Sequence, residues 1–171
     1  MSVAGIMETT QYLSFKLSDE IYALDIAKVR EVLDFTTVTK VPRTPEFMRG
    51  VINLRGSVVP VVDLRLKFGM TKTESSVNTC IIIVEVKVDD ETTILGALAD
   101  SVQEVLDLGP DHIEPAPKIG TRLNTEFIKG MGKHNNAFLI ILDIDKVFST
   151  SELAVVQATQ AEAQTAAEQT A

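Results

Sequence analysis

Tryptophan is absent from this 171-residue sequence, and aromatic residues make up only 5% of it, with a single cysteine and two histidines. The one cysteine, Cys80, excludes an internal disulfide and is typical of a reducing compartment. No apolar run approaches the ~20 residues needed to cross a bilayer, and residues 1–10 lack the basic and apolar regions of a signal peptide. These absences favour a cytoplasmic protein that does not insert directly into a membrane.

Basic residues are fewer than acidic ones: the chain has 16 Lys and Arg and 24 Asp and Glu, which gives a net charge of −8. Nucleic-acid binding depends on cationic contacts to phosphate and on aromatic stacking, so the composition argues against nucleic acid as a partner. His112 and His134 have no further ligand candidate at metal spacing, and no phosphate-binding loop or nucleophile motif is present. We expect no enzyme activity, no metal and no cofactor. A protein-binding module and a small-ligand-binding barrel both stay open.

Short apolar runs separated by turn residues are what the sequence does contain. The most informative stretch is residues 50–64, GVINLRGSVVPVVDL, in which Gly56 lies between two apolar runs. Glycine adopts a positive φ at little cost, so this pattern predicts a β-hairpin with its turn at Gly56. Arg55 at the same turn offers a fixed positive charge.

The remaining runs and polar breaks give a coarse map of the chain. Residues 29–33 fit either a strand or a helical piece, because periodicity cannot decide so short a segment. The other expectations are hairpins over residues 11–26 and 80–99, a strand at 38–41, a helical turn at 44–48, a linker at 71–78, a loop at 110–120, and a final buried strand at 138–144. The Ala- and Gln-rich residues 151–171 predict at most one short docked helix and an otherwise frayed or disordered tail.

The two halves of the sequence resemble each other. Residues 21–34 align without gaps on residues 94–107 with six identities, and residues 44–68 align on residues 124–148 with five. Two blocks in the same order indicate a repeated unit of several short strands. Such a unit suits a small barrel, because closure removes exposed strand edges. The sequence therefore predicts two similar β-barrels in tandem.

The repeat also separates shared from unshared features. The second copy has Lys-His-Asn-Asn at residues 133–136, where the first has Asn-Leu-Arg-Gly, so the fold itself does not require Arg55. The segment Val-x-Glu-Val-Leu-Asp occurs in both copies. If the barrels pack side by side, its valines would line a groove between them, although burial in the core is the alternative for each; these valines are Val29, Val32, Val102 and Val105.

Two quoted patterns carry a family resemblance: QYLSFKLxxExYALDIxxVxEV from residue 11, and PxFMRGVINLRGxVVPVVDLR from residue 45. Together they closely resemble the CheW chemotaxis coupling proteins, over about residues 11–150. The resemblance implies an all-β fold of two tandem, pseudo-repeated, five-stranded SH3-like barrels with short helical turns. We place the barrels at residues 11–70 and 79–150 of one CheW-like domain, followed by a helical or disordered tail at residues 151–171.

The resemblance also implies a non-enzymatic adaptor. It would join the cytoplasmic tips of methyl-accepting chemotaxis receptors to the regulatory domain of the chemotaxis histidine kinase in signalling arrays. Other copies of the same protein in the array are a further class of partner. A scaffold in a non-flagellar chemosensory pathway is the alternative, and the receptors, the kinase and the pathway output stay open.

Position by position, the resemblance implies two sets of contact residues. The receptor-binding set is Ile26, Val29, Glu31, Val32, Gly50, Arg55, Ala99, Val102 and Val105. The kinase-binding set is Val38, Lys40, Val41, Gly56 and Val58. Whether Arg55 contacts a partner or only pairs with Glu31 is left open.

Overall fold

A computed structural model describes residues 9–115 and 125–169 of the chain. Those residues form eleven strands and three α-helices, two of which are a single turn long. The strands are β1 (Thr10–Leu17), β2 (Glu20–Asp25), β3 (Val29–Asp34), β4 (Met48–Leu54), β5 (Ser57–Asp63), β6 (Cys80–Val88), β7 (Glu91–Ala99), β8 (Ser101–Leu108), β9 (Ile113–Glu114), β10 (Ile128–His134) and β11 (Ala137–Leu142). The helices are α1 (Leu64–Lys67), α2 (Ile144–Val147) and α3 (Thr150–Gln169).

Left-handed turn residues join the strands into hairpins. Between β4 and β5, Arg55 has φ 52° and Gly56 has φ 87°, so both central residues of the turn are left-handed. The turn between β10 and β11 has the same form, with Asn135 at 50° and Asn136 at 63°. Such turns match the right-handed twist of paired strands. The hairpin predicted over residues 50–64 and its positive φ at Gly56 are therefore confirmed.

The strands form two sheets, each of which encloses its own apolar cluster. Barrel 1 has the strand order β3-β6-β7-β5-β4, and barrel 2 has the order β8-β1-β2-β11-β10-β9. The two sheets have the same order when each strand is matched to its equivalent in the sequence repeat. Barrel 2 has one additional strand, the two-residue β9. The predicted all-β fold of two SH3-like barrels is confirmed.

The barrels exchange strands between the two halves of the chain. β1 and β2 lie in barrel 2 between β8 and β11, and β6 and β7 lie in barrel 1 between β3 and β5. The predicted contiguous barrels at residues 11–70 and 79–150 therefore do not describe the strand pairing. Because both copies carry the same apolar pattern, local sequence specifies the strands but not the copy with which each one pairs.

A third and larger apolar cluster is shared by both barrels. It includes Phe15 and Tyr22 of barrel 2 together with Val84 of barrel 1, all of them fully buried. The rings of Phe15 and Tyr22 stack at 5.9 Å, and the Tyr22 ring stacks on Phe68 at 5.8 Å. This cluster joins the two barrels into one unit.

Three predicted local elements differ in the structure. Residues 38–41 form no strand, and only an isolated bridge pairs Thr39 with Val51. Residues 44–48 form a turn closed by the Met48 N–H donating to the Pro45 carbonyl at 3.0 Å, because the following strand β4 begins too soon for a helix. Of the loop at residues 110–120, Pro110–His112 is a 3-10 turn that leads into β9, and residues 116–120 lie outside the described residues.

The C-terminal segment is a 20-residue helix, α3, rather than a short helix with a frayed tail. Ser149 and Glu152 form a capping box, in which the Ser149 N–H donates to Glu152 Oε1 at 2.8 Å and the Glu152 N–H donates to Ser149 Oγ at 3.1 Å. Leu153 and Val156 are buried in the shared cluster. Among residues 9–115 and 125–169, no helix has the length and apolar character needed to span a membrane.

Candidate partner-binding surfaces

The sheet of barrel 1 has a seam between its two edge strands, β3 and β4. A backbone bridge closes the seam where the segment that follows β3 meets β4. The Thr39 N–H donates to the Val51 carbonyl at 2.9 Å, and the Val51 N–H donates to the Thr39 carbonyl at 2.8 Å. A side-chain pair crosses it as well: Arg55 donates from Nη1 to Glu31 Oε2 at 2.9 Å and from Nη2 to Oε1 at 2.7 Å. This two-bond geometry holds both planar groups in one orientation.

The seam pair, Arg55 and Glu31, is open to solvent. The Arg55 side chain is 71% exposed and that of Glu31 is 29% exposed. The hydrogen bonds from Arg55 lower the pKa of the Glu31 carboxyl below its ordinary value, against a smaller opposing effect of desolvation. An exposed pair contributes little to folding stability, so its main effect is to fix where Arg55 points.

The turn adds a local cost at Arg55. A left-handed φ is uncommon for residues other than Gly, Asn and Asp, and barrel 2 uses Asn135 at the equivalent position. In barrel 1, Asn53 Oδ1 accepts the Gly56 N–H at 2.9 Å and supports the turn. Arginine therefore occupies a position whose backbone conformation it does not favour, and its side chain offsets part of this cost through the pair with Glu31.

Barrel 2 brings two residues near each other at the position of the seam pair, at a distance too long for a hydrogen bond. Glu104 is the repeat equivalent of Glu31, and His134 Nε2 lies 3.8 Å from Glu104 Oε1. His134 comes from the hairpin that corresponds to the Arg55 hairpin, one residue earlier in register. Sequence reasoning missed this contact, although the identity of Glu31 and Glu104 in the repeat was a readable signal.

The residues predicted to contact the receptor differ in how far their side chains are exposed to solvent. Val32 is 40% exposed on β3 and Val105 is 50% exposed on β8, and the repeat relates these two positions. Val29 and Val102, at the starts of the same strands, are half-buried and pack against the shared cluster, as does Ile26. The alternation follows from the strand, which turns successive side chains to opposite faces.

Two residues of the receptor set support the fold and do not lie on its surface. Ala99 is fully buried in the shared cluster, so its expected role as a contact is wrong. Gly50 is buried with φ 141°, and a Cβ there would collide with the carbonyl oxygen of Thr39. The backbone bridge across the seam requires glycine at residue 50, and a direct receptor contact by this residue is therefore also corrected.

The predicted kinase-facing residues fall on the seam side of barrel 1, but not all are accessible. Lys40 and Gly56 are exposed, and Val41 is half-buried. Val38 is half-buried against the interior cluster of barrel 1. Val58 is only 7% exposed, because α3 lies against β5. A direct contact through the Val58 side chain is corrected for that reason.

A row of glutamines holds α3 to barrel 1. Gln164 Oε1 accepts the Val58 N–H at 2.7 Å, and Gln160 Nε2 lies 3.4 Å from the Val58 carbonyl oxygen. Gln157 Nε2 donates to Thr93 Oγ1 at 2.8 Å. The spacing of three and four residues puts all three glutamines on one helix face, a signal that the sequence analysis missed.

The glutamines fill a split between two strands. β5 pairs in parallel with β7 only from Val61 to Asp63, so Ser57–Pro60 has no β7 partner. A primary amide carries both a donor and an acceptor, as a peptide group does, and can satisfy the backbone groups of Val58 there. A groove of about 530 Å³ lies beside α3 and is lined by Glu31, Leu54, Arg55, Val59, Thr93 and Gln160 among others.

Asp63 anchors the end of β5. It is fully buried and accepts hydrogen bonds from the Arg65 N–H, the Thr73 N–H, the Thr73 hydroxyl and Arg49 Nη1, at 2.8 to 3.1 Å. This carboxylate thereby ties the start of the 71–78 linker to the end of β5. These contacts give Asp63 a structural role. Within the described part of the chain, no three His, Cys, Asp or Glu residues form a possible metal site.

Comparison with known proteins gives the family. A family model described as "CheW-like domain" matches residues 11–152. The chain is 37% identical over 154 residues to the chemotaxis protein CheW of Klebsiella aerogenes, covering 90% of each protein. It is 31% identical to the chemotaxis protein CheW of Rhizobium meliloti, covering 83% of this chain and 89% of that protein.

A solved structure agrees with these sequence relatives. The scaffolding protein TtCheW from Thermoanaerobacter tengcongensis superposes with a TM-score of 0.74 and 36% sequence identity. The superposition covers 87% of this chain and 94% of TtCheW. The chain therefore belongs to the CheW-like family, the non-enzymatic scaffold proteins of chemotaxis.

Proposed function

We propose that this protein couples methyl-accepting chemotaxis receptors to the regulatory domain of the chemotaxis histidine kinase. It would act in the cytoplasm, within signalling arrays that also contain further copies of itself. Its activity is simultaneous occupancy, in which one surface holds a receptor tip and another holds the kinase. Family membership supports the general role, and the surfaces described above support the division of labour between them.

The observation that carries the receptor assignment is the pair of exposed valines, Val32 and Val105. They occupy equivalent positions on edge strands of different barrels, and both strands begin at the shared cluster. An apolar helical face of a receptor tip can bury such side chains, which is the helix-in-groove mode of recognition. Ile26, Val29 and Val102 support this surface from below, and the seam pair flanks Val32 on β3.

For the kinase we propose the exposed part of barrel 1 beyond the seam. Lys40 and Gly56 are exposed there, with Val41 half-buried beside Lys40. Val38 and Val58 hold this surface in place from inside the barrel and beneath α3. The exposed valines of the receptor surface lie on β3 and β8, whereas Lys40 and Val41 of the kinase surface lie between β3 and β4, so one adaptor would bind both partners at once. Gly56 shares its turn with Arg55, where the two surfaces would meet.

The test is a binding experiment with a receptor cytoplasmic fragment and a kinase regulatory domain, each alone and both together. Val32→Glu and Val105→Glu each place a charge where an apolar contact is expected. We expect each variant to bind the receptor fragment about tenfold or more weakly, a change of ~1.4 kcal/mol, while kinase binding stays unchanged.

Val77→Glu is the matched control for added charge, because Val77 is 99% exposed and lies in the linker, on neither of the two strands. We expect it to bind both partners like the parent protein. Equal loss of receptor binding in all three variants would show that the added negative charge, and not the loss of an apolar contact, weakens binding. Binding of the parent protein to neither partner would refute the coupling function.

A further inference from the structure

The positive charge of this acidic protein is concentrated in one segment. Residues 40–72 contain seven of the 16 Lys and Arg residues but only two of the 24 Asp and Glu residues. The rest of the chain is correspondingly more acidic than the net charge of −8 conveys. A local excess of one sign on a surface of the other sign is a recognition feature, because it steers partners of complementary charge to that place.

Part of this segment borders a groove of about 400 Å³ on barrel 1. Pro45, Met48 and Leu66 supply apolar surface to it, and Lys40 and Lys72 supply cations. Arg49, Thr44 and Glu46 complete the lining. We call this feature the lysine groove.

Most neighbouring cations are already neutralised by the protein itself. Arg49 pairs with Asp63, Arg65 pairs with Asp100 at 2.9 Å, and Lys67 pairs with Glu152 at 3.0 Å. Among the ion pairs of the described residues, none includes Lys40 or Lys72. Both lysines are exposed. These two are the cations of the groove that stay available to a partner, and they outnumber the exposed Glu46 carboxylate of the same lining.

The backbone under each lysine is nevertheless held firmly. Lys40 follows Thr39, whose backbone bridge to Val51 crosses the seam. Lys72 lies between Thr71, which accepts a hydrogen bond from Arg65 Nε at 2.9 Å, and Thr73, whose hydroxyl donates to buried Asp63 at 2.8 Å. The linker is therefore ordered where it presents Lys72. Holding a charge in place before binding lowers the entropy cost of binding.

We propose that the lysine groove binds an acidic segment of a partner protein, with one apolar side chain of that segment seated on Pro45 and Leu66. Carboxylates of the segment would pair with Lys40 and Lys72 at the two sides of the groove. A protein segment fits better than nucleic acid, because two available cations on a chain of net charge −8 cannot offset the repulsion of a phosphate backbone. Because Lys40 belongs to the kinase-facing set, the kinase regulatory domain is one protein that could carry such a segment. The inference rests on the proposed function only where it names the kinase.

The test compares two charge-matched double variants of the full chain. Lys40→Glu/Lys72→Glu reverses both groove charges, and Lys87→Glu/Lys133→Glu reverses two exposed lysines on β6 and β10. The probe is a short synthetic peptide of glutamates around one leucine, with a glutamine-for-glutamate peptide as its control. Amide NMR shifts of the labelled protein report the site and the affinity, and circular dichroism checks that both variants fold.

We expect the glutamate peptide to shift the amides around Lys40, Met48 and Lys72, and to bind more weakly as salt rises through ~0.15 M. The groove variant should bind it about tenfold more weakly, and the matched variant within about twofold of the parent protein. Equal losses in both variants, equal binding of the glutamine peptide, or shifts spread over the surface would each overturn the inference. Tighter binding of a DNA oligonucleotide or of anionic vesicles at the same amides would overturn the choice of a protein segment.

A second titration uses the kinase regulatory domain. Weaker binding of this domain to the groove variant alone would identify the kinase as the source of the acidic segment. Failure of the parent protein to bind the domain would count against the proposed function, while the peptide titration would still decide whether the groove recognises acidic segments.

Discussion

Arg55 and Glu31 join the two edge strands of barrel 1 through parallel hydrogen bonds of 2.9 and 2.7 Å. Glu31 precedes Val32 in the sequence, and its pair with Arg55 crosses the seam that the Thr39–Val51 bridge closes further along. One arrangement of side chains thus fixes the hairpin turn, the edge of β3 and the direction of an exposed cation. This relationship allows a structural role and a contact role for Arg55 to be tested separately.

Arg55→Asn is the variant that separates the two roles. Asparagine tolerates the left-handed turn, as Asn135 does in barrel 2, so the hairpin should keep its form while the seam pair is lost. We expect thermal unfolding to change little, and receptor-fragment binding to weaken. Glu31→Gln, which removes the carboxylate but keeps Arg55, is the comparison. If Asn at residue 55 lowered stability as much as a core substitution, the pair would be structural.

The seam pair should also respond to acid. Its hydrogen bonds lower the pKa of Glu31 below the reference value of 4.5, so the pair stabilises the fold above that value and is lost as pH falls through the lower, folded-state pKa. NMR titration of the Glu31 carboxyl should give a pKa below that of other exposed glutamates. In Arg55→Asn the same carboxyl should return toward the ordinary value. An identical titration in both proteins would show that the pair does not form in solution.

For Gly50 we predict a loss of stability, in contrast to Arg55, where we predict a loss of binding. A side chain at residue 50 would meet the Thr39 carbonyl oxygen, and its φ of 141° is strained for any residue except glycine. We expect Gly50→Ala to destabilise the protein by about 2–4 kcal/mol and Gly50→Asp by more. Urea unfolding measures the loss, and Gly56→Ala, where a Cβ meets no atom within 4 Å, is the milder control. A stable Gly50→Ala variant that binds the receptor fragment poorly would restore the contact role.

The hairpin over residues 50–64 was predictable because its signals are local: two apolar runs on either side of a glycine turn. The exchange of strands was not, since both copies offer nearly the same apolar pattern and the choice of partner depends on packing around the shared cluster. For the site, the repeat located Val32 and Val105, but burial of Ala99 and Gly50 depends on tertiary contacts that no local pattern contains.

The helix α3 shows how a polar sequence hides a specific contact. Its composition gives almost no apolar face beyond Leu153 and Val156, which is why a frayed tail was expected. The capping residues Ser149 and Glu152 were nevertheless visible in the sequence, with the spacing that starts a helix. The side chains that extend the docking are glutamines, and hydrophobic periodicity does not detect them.

We expect Gln160→Ala/Gln164→Ala to loosen the second half of α3. Each glutamine hydrogen bond to the Val58 backbone should contribute about 0.5–1.5 kcal/mol, so the loss should be moderate. Hydrogen exchange of the Val58 amide should accelerate, because its acceptor is Gln164 Oε1. Glu162→Ala, on an exposed position of the same helix, should leave that amide unchanged. Unaltered exchange at Val58 in the double variant would show that the glutamines do not hold the helix.

The exchanged strands predict that neither half of the chain folds alone. A fragment of residues 9–78 would lack β6 and β7, which form the middle of barrel 1, and a fragment of residues 79–169 would lack β1 and β2 of barrel 2. Each would also expose its part of the shared cluster, so separate barrels cannot bury enough apolar surface. We expect each purified fragment to be unfolded by circular dichroism, and an equimolar mixture to recover strand signal and a single cooperative melt. Two fragments that fold independently, or a full chain that melts in two separate steps, would show that the barrels are separable domains and that the shared cluster is not required for either one.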